Sequence, residues 1–167
     1  MIGGQGSVQP NVAISAGGVI VHQKRLQIAL VSKISLTKPK LGKRWSFPKG
    51  RVDEDEDSAG AAMREIFEEI GIPPKSLTLL QDLGSYLKPK VGPDGRDLPE
   101  KKRIHLFVFS TDHDGLESQE PGKHPDTLWV NSATVHQLLS HELDRSFFIT
   151  VVWPALIKLF PAIARPE

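Results

Sequence analysis

The stretch GRVDEDEDSAGAAMREIFEEIGI, residues 50–72, gathers eight acidic residues and two basic ones. Asp57 or Ser58 can cap a helix N-terminus here, and Gly71 followed by Pro73 and Pro74 stops it. Between these signals Ala59, Ala62, Met63, Ile66 and Ile70 recur at helical spacing, a stripe that must face a core. At about 100° per residue, Glu65, Glu68 and Glu69 fall on an arc along the edge of that stripe, where a cleft wall would run.

Carboxylates at i, i+3 and i+4 repel by a few tenths of a kcal/mol per pair on an exposed helix, and by more once partly buried. Arg64 can pair with Glu68 at i+4, but one guanidinium does not neutralise three glutamates. A hard divalent cation, which takes carboxylate and carbonyl oxygens and leaves positions for phosphates, would do so more completely. For the bare segment REIFEE, a solvated acidic face explains the same pattern.

Working outward, charge is segregated along the chain. Residues 1–49 hold eight Lys or Arg and no acid, directly before the acidic stretch, although the net charge is only +1. Such an arrangement brings an anion site and a cation site together. With 167 residues, 39% of them apolar and 25% charged, the chain suits one globular domain. Cysteine is absent, which excludes disulfides and thiolate metal sites. No apolar run approaches the ~20 residues needed to cross a bilayer, and the start lacks a signal-peptide pattern. A cytoplasmic protein is therefore expected.

VAISAGGVIV and RLQIALVSK read as two strands around a turn at His22–Arg25, and WSFP as a short strand after a polar loop. LTLLQDLGSYL and RIHLFVFSTD are strands, and KPKVGPDGRDLPEKK between them reads as a long exposed loop. A short strand LWV, a helix over SATVHQLLS and a helix from Asp144 to Phe160 interrupted at Pro154 complete the order. This order predicts an α/β fold, a mixed sheet with packed helices, as one domain over 11–165 behind a flexible N-terminus, 1–10.

Gly50, Glu56, Arg64, Glu65, Ile66, Glu68, Glu69, Gly71 and Ile72 reproduce the Nudix box, G-x5-E-x7-R-E-U-x-E-E-x-G-U with U apolar, without a departure. The chain thus resembles a Nudix hydrolase. The resemblance implies an α/β/α sandwich and cleavage of a diphosphate linked to another moiety, with Mg²⁺ or Mn²⁺ as cofactor. It implies Glu68 and Glu69 as leading metal ligands, with the backbone carbonyl of Gly50 or Lys49 beside them. Glu65 is then a further ligand or the base that deprotonates water. Arg64 would orient Glu65 or Glu68, and Glu56 would add a supporting or water-mediated contact. Family members often recruit another acid from outside the box; candidates are Glu117, Glu120 and Asp126, with Glu120 and Asp126 ranked together.

For the substrate, Lys49 is similar to the branch acting on dinucleoside polyphosphates and diphosphoinositol phosphates. Arg44, Lys88 and the basic segment up to Arg103 would suit a substrate with many phosphates, and Tyr86 could stack on a base or ribose. Pro89 and Tyr86 each stand off the place of a subfamily marker. The histidines lack metal-ligand spacing, and structural roles are expected for all six. The leading expectation is hydrolysis of a nucleoside or dinucleoside polyphosphate, a small phosphorylated molecule. ADP-ribose or inositol pyrophosphate hydrolysis is the runner-up. A catalytically silent ligand-binding regulator is the alternative of another class, although such modules typically lose box glutamates that this chain keeps. No membrane or DNA partner is expected, and a homodimer is left open.

Overall fold

The apolar runs on either side of His22–Arg25 form β1 (Ala13–His22) and β2 (Gln27–Lys33). A computed structural model describes residues 12–35, 40 and 42–167, so the expected flexible N-terminus, 1–10, lies outside the described residues. Along one edge β1 runs parallel to β6 (Asp97–Thr111), from Ala13↔Lys102 to His22↔Thr111. Along the other edge it changes neighbour. β2 pairs antiparallel at Val21↔Ile28, whereas β4 (Lys49–Arg51) takes Ser15–Gly17. β3 (Arg44–Ser46) and β7 (Thr127–Asn131) pair antiparallel with β2, and β5 (Thr78–Val91) pairs antiparallel with β6. The sheet is mixed, as expected, with the order β3-β2-β1-β6-β5 and with β4 and β7 off that path.

Strand alternation sends successive side chains to opposite faces of the sheet. Val19, Val21, Leu106 and Val108 pack with Phe148, Val152 and Leu156 from the C-terminal helices. Ile20, Phe107 and Phe109 pack on the other face with Ile66 and Ile70 of α1 (Ser58–Ile70). Two cores separated by one sheet make the α/β/α sandwich.

Two expectations are corrected. The segment 88–102 is not a loop: β5 and β6 continue through it as a long hairpin, and only residues 92–96 turn, with Gly92 N–H donating to Arg96 O at 2.8 Å. Its polar composition hid it, because these arms project past the core and have little apolar surface to bury. The C-terminal helix is divided, but not by Pro154. After α2 (Val135–Leu138), α3 (Glu142–Phe147) leads through a wide π-type turn, Phe148–Val152, into α4 (Trp153–Leu159). Pro154 sits in the first turn of α4, where a missing N–H breaks no helix bond.

β4 reaches β1 only because Gly17 has no side chain. A Cβ there would lie 2.1 Å from the Pro48 carbonyl oxygen and 2.4 Å from the Lys49 Cβ. Gly18 N–H donates to the same carbonyl at 3.1 Å. Gly17→Ala is expected to push β4 off β1 and to destabilise the fold by about 1–3 kcal/mol, measured by urea denaturation; an unchanged midpoint would contradict the close approach.

Candidate active site

Both ends of α1 are pinned. The Asp57 carboxylate accepts from Gly60 N–H at 2.6 Å, which settles the cap between the two candidates. At the other end Gly71 adopts φ +81°, and the backbone of Glu117 packs against it so closely that a Cβ would lie 2.3 Å from the Glu117 oxygen. Glu117 N–H donates to Ile70 O and Gln119 N–H to Glu68 O, each at 2.9 Å. The segment after β6 thus satisfies carbonyls that the helix end leaves open, and it carries His124 to the helix.

With the helix fixed, its carboxylates have different surroundings. Arg64 donates to Glu56 at 3.1 Å, to Glu65 at 2.8 Å, to Glu68 at 3.3 Å and to the Arg51 carbonyl at 2.9 Å. One guanidinium therefore serves three glutamates, and its hydrogen bond holds Glu56 below the usual carboxylate range. Glu68 stays on the partly exposed rim with Arg64. Glu65 turns inward, its carboxylate against Gly50, where a Cβ would lie 2.1 Å from the carboxyl carbon. Burial raises the Glu65 pKa against the opposing pull of Arg64.

Glu69 is 5% exposed and belongs to the buried side of the helix, beyond the edge position its spacing suggested. It accepts from Lys49 N–H at 3.2 Å. Burial, partly offset by Lys49, pushes its pKa up to about 8. Its other neighbour is the buried His124, whose Nδ1 bonds the Ser32 carbonyl at 3.1 Å and so carries the proton. Nε2 then presents a lone pair 3.3 Å from Glu69 Oε1, with no hydrogen-bond partner among the described residues. Burial also holds the His124 pKa below its ordinary value.

These residues line a cleft of about 440 Å³ beside the split where β1 changes neighbour. Its cationic side chains are Lys33, Arg44, Lys49, Arg51, Lys88, Lys102 and Lys123, against the carboxylates of Glu65, Glu69 and Asp144. Among the expected residues, Gly50, Glu65, Glu69, Lys49, Arg44 and Lys88 line it. Arg64, Glu56 and Glu68 stand behind as the network that holds Glu65.

Of the other expected residues, Tyr86, Asp126 and Glu120 also lie outside the cleft. Tyr86 stacks on Phe147 with centroids 4.3 Å apart and donates to Asp144 at 2.6 Å, so its ring belongs to the core and is not a base platform. Asp126 pairs with Lys43 at 2.6 Å and its N–H donates to Ser32 Oγ at 3.0 Å. Glu120 is exposed and accepts through its backbone from Lys123 and His124. The sequence had not singled out Lys33, Lys102, Lys123, His124 or Asp144. A histidine in a Pro-flanked loop carries no local signal, yet His124 lines the cleft.

A hard divalent cation fits this arrangement. Glu69 is a buried carboxylate without a cation of its own, the His124 Nε2 lone pair beside it is orphaned, and Gly50 leaves its backbone open against Glu65. Among the described residues no three His, Asp or Glu side chains form a ready-made cage.

A family model described as the NUDIX domain matches residues 13–150. An RNA pyrophosphohydrolase of Shewanella loihica is 29% identical over 133 residues, 73% of this chain and 72% of that relative. A second RNA pyrophosphohydrolase, from another Shewanella, is 31% identical over 111 residues, 60% of this chain and 63% of that relative's length. Among solved structures, a C. elegans Ap4A hydrolase binary complex superposes with a TM-score of 0.65 at 22% identity, covering 89% of this chain and all of that one (100%). The E. coli dihydroneopterin triphosphate pyrophosphohydrolase gives 0.64 at 21% identity, covering 83% and 94%. At these identities the two structures establish the fold. No helix among the described residues is long and apolar enough to cross a membrane.

The raised Glu69 pKa has a consequence for stability. A carboxyl group that folding shifts upward holds a proton that the unfolded chain has released, so stability declines as pH climbs toward the folded value. His124, shifted down, acts in the opposite direction below about pH 6.5. In EDTA, the melting temperature is expected to fall between pH 6.5 and pH 8, and Glu69→Gln should remove most of that fall. Parallel profiles for the two proteins would show that Glu69 is not its source.

Proposed function

The chain belongs to the Nudix family, pyrophosphohydrolases that generally use divalent metal, and on that premise we propose that it hydrolyses a phosphoanhydride in a nucleoside or dinucleoside polyphosphate. The observation that carries this is the meeting of two sets of charges in one cleft: half-buried Glu65 and buried Glu69 against lysines and arginines. A substrate whose phosphates need both a cation and basic side chains matches both sets.

Glu65, Glu69 and the Gly50 carbonyl would hold Mg²⁺ or Mn²⁺, and Glu68 would join them once it turned from Arg64 into the cleft. When bound, such an ion neutralises charge on the phosphate oxygens and makes water a better nucleophile. The rest falls to side chains of this protein. Arg64 fixes Glu65 in place against Gly50. Glu65 or Glu69 takes the proton as water adds to phosphorus and the bond to the bridging oxygen breaks. Lys49, Arg44 and Arg51 line the cleft where the departing phosphate gathers charge. Electrostatic positioning suffices for phosphoryl transfer, so no covalent intermediate is required.

The names of the Shewanella relatives favour a second substrate for the same chemistry, a pyrophosphate-bearing end of RNA. Both substrates present a short polyphosphate to the same cleft. They are separated by offering each and identifying the products.

Phosphate or nucleotide release is expected with Mg²⁺ or Mn²⁺ and should cease in EDTA. Glu69→Gln and Glu65→Gln should each lower kcat by about 10²–10⁴-fold, with folding checked by circular dichroism. A wild type that releases nothing from nucleoside polyphosphates, dinucleoside polyphosphates or pyrophosphate-bearing RNA ends would overturn the proposal.

A further inference from the structure

Lys88 of β5 and Lys102 of β6 are direct cross-strand partners, and both line the cleft. Like charges opposed in this way destabilise a sheet, and Lys88 is only 5% exposed. A single acid relieves the pair. Asp144 of α3 accepts from Lys88 Nζ at 2.7 Å and is itself held by the Tyr86 hydroxyl at 2.6 Å. The Lys102 ammonium forms no hydrogen bond or ion pair with the described residues, and neither does the Lys33 ammonium at the end of β2. Burial pushes the Lys102 ammonium down to about 8, and Lys49, Lys88 and Lys33 add to that shift. Lys33 is shifted the same way by burial and by Lys123, Lys49 and Arg44, with Glu69 opposing.

Two strands therefore direct cations into one space, and Asp144 forms an ion pair with only one of them. The fold gains nothing from this arrangement, whereas a multiply charged anion would remove its cost. Lys88 and Lys102 share the sheet face of Tyr86, Ile104 and Asp144 of α3, opposite the face covered by the glutamate helix α1, whereas Lys33 lies on the α1 face and is acted on by Glu69. Lys49 stands between the two, acting on Glu69 on one side and on Lys88 and Lys102 on the other. A pyrophosphate with its cleaved bond beside Glu65 and Glu69 would leave the far lysines unmatched.

We propose that Lys88 and Lys102 form a second anion subsite holding a substrate phosphate other than the two that flank the cleaved bond, so that the preferred substrates carry three or more phosphates. This rests on the pyrophosphohydrolase reading of the cleft. Lys102 sets the preference for phosphate number, while Asp144 and Tyr86 keep Lys88 in position.

The test uses inorganic tripolyphosphate in EDTA, titrated calorimetrically into the whole chain. Wild type should bind one equivalent, and Lys102→Met, which keeps the apolar stem, should bind about tenfold more weakly. The exposed neighbour Lys101→Ala should stay within about twofold of wild type, a negligible difference. Without ligand, Lys102→Met should melt at a higher temperature than wild type, which also shows that it folds. In turnover, Lys102→Met should lose kcat/KM on a dinucleoside tetraphosphate and keep it on two-phosphate ADP-ribose. Equal tripolyphosphate affinity in wild type and Lys102→Met, or equal losses on both substrates, overturns the subsite. A tripolyphosphate effect in a protein that hydrolyses nothing upholds the subsite and removes the pyrophosphohydrolase reading instead.

Discussion

The structure turns on a shortage of positive charge at one helix. Arg64 is shared among Glu56, Glu65 and Glu68, and Glu69 is buried without a cation of its own. Seven Lys or Arg side chains line the same cleft, yet none reaches Glu69 as a salt-bridge partner; its contacts are a backbone N–H and a neutral imidazole. Opposite charges are held apart across the cleft when they could have collapsed onto one another. In the proposed function, a divalent cation and a polyphosphate complete the balance, the cation against the glutamates and the phosphates against the lysines.

The fold maintains that separation by dividing the edge of β1. Where β1 leaves β2 and takes β4, the sheet opens, and the side chains of Ser15, Lys33, Lys49 and Glu65 face a common space. Gly17 admits the β4 backbone, and Gly50 leaves room for the Glu65 carboxylate. The polar cleft is thus bounded by rigid elements: α1, capped by Asp57 and by the Glu117–Gln119 backbone, and a β5–β6 hairpin anchored through Asp144. Preorganisation of this kind suits a reaction in which positioning and charge do most of the work.

How far the site was legible in the sequence follows from how local each part is. Glu65, Glu68, Glu69, Arg64 and their caps share one helix, so spacing alone groups them, and the helical stripe of Ile66 and Ile70 fixes which side is buried. Burial of Glu69 was less visible, because its place at the stripe's edge leaves the wall opposite undetermined. His124, Lys33 and Lys102 come from a loop and two strands far apart in the chain, and only the sheet register brings them together. The β5–β6 arms were misjudged for a related reason. A strand that lines a polar cleft on one face and meets solvent on the other has no apolar alternation to announce it.

The central claim is that Glu65 and Glu69 face a cation site and are not simply packed against the sheet. Crystals soaked in Mn²⁺, with anomalous scattering recorded near the manganese edge, address it directly. The account predicts a peak bounded by the Glu65 and Glu69 carboxylates and the Gly50 backbone. A well-diffracting crystal with manganese bound only elsewhere, or with none bound at saturating concentration, would contradict it.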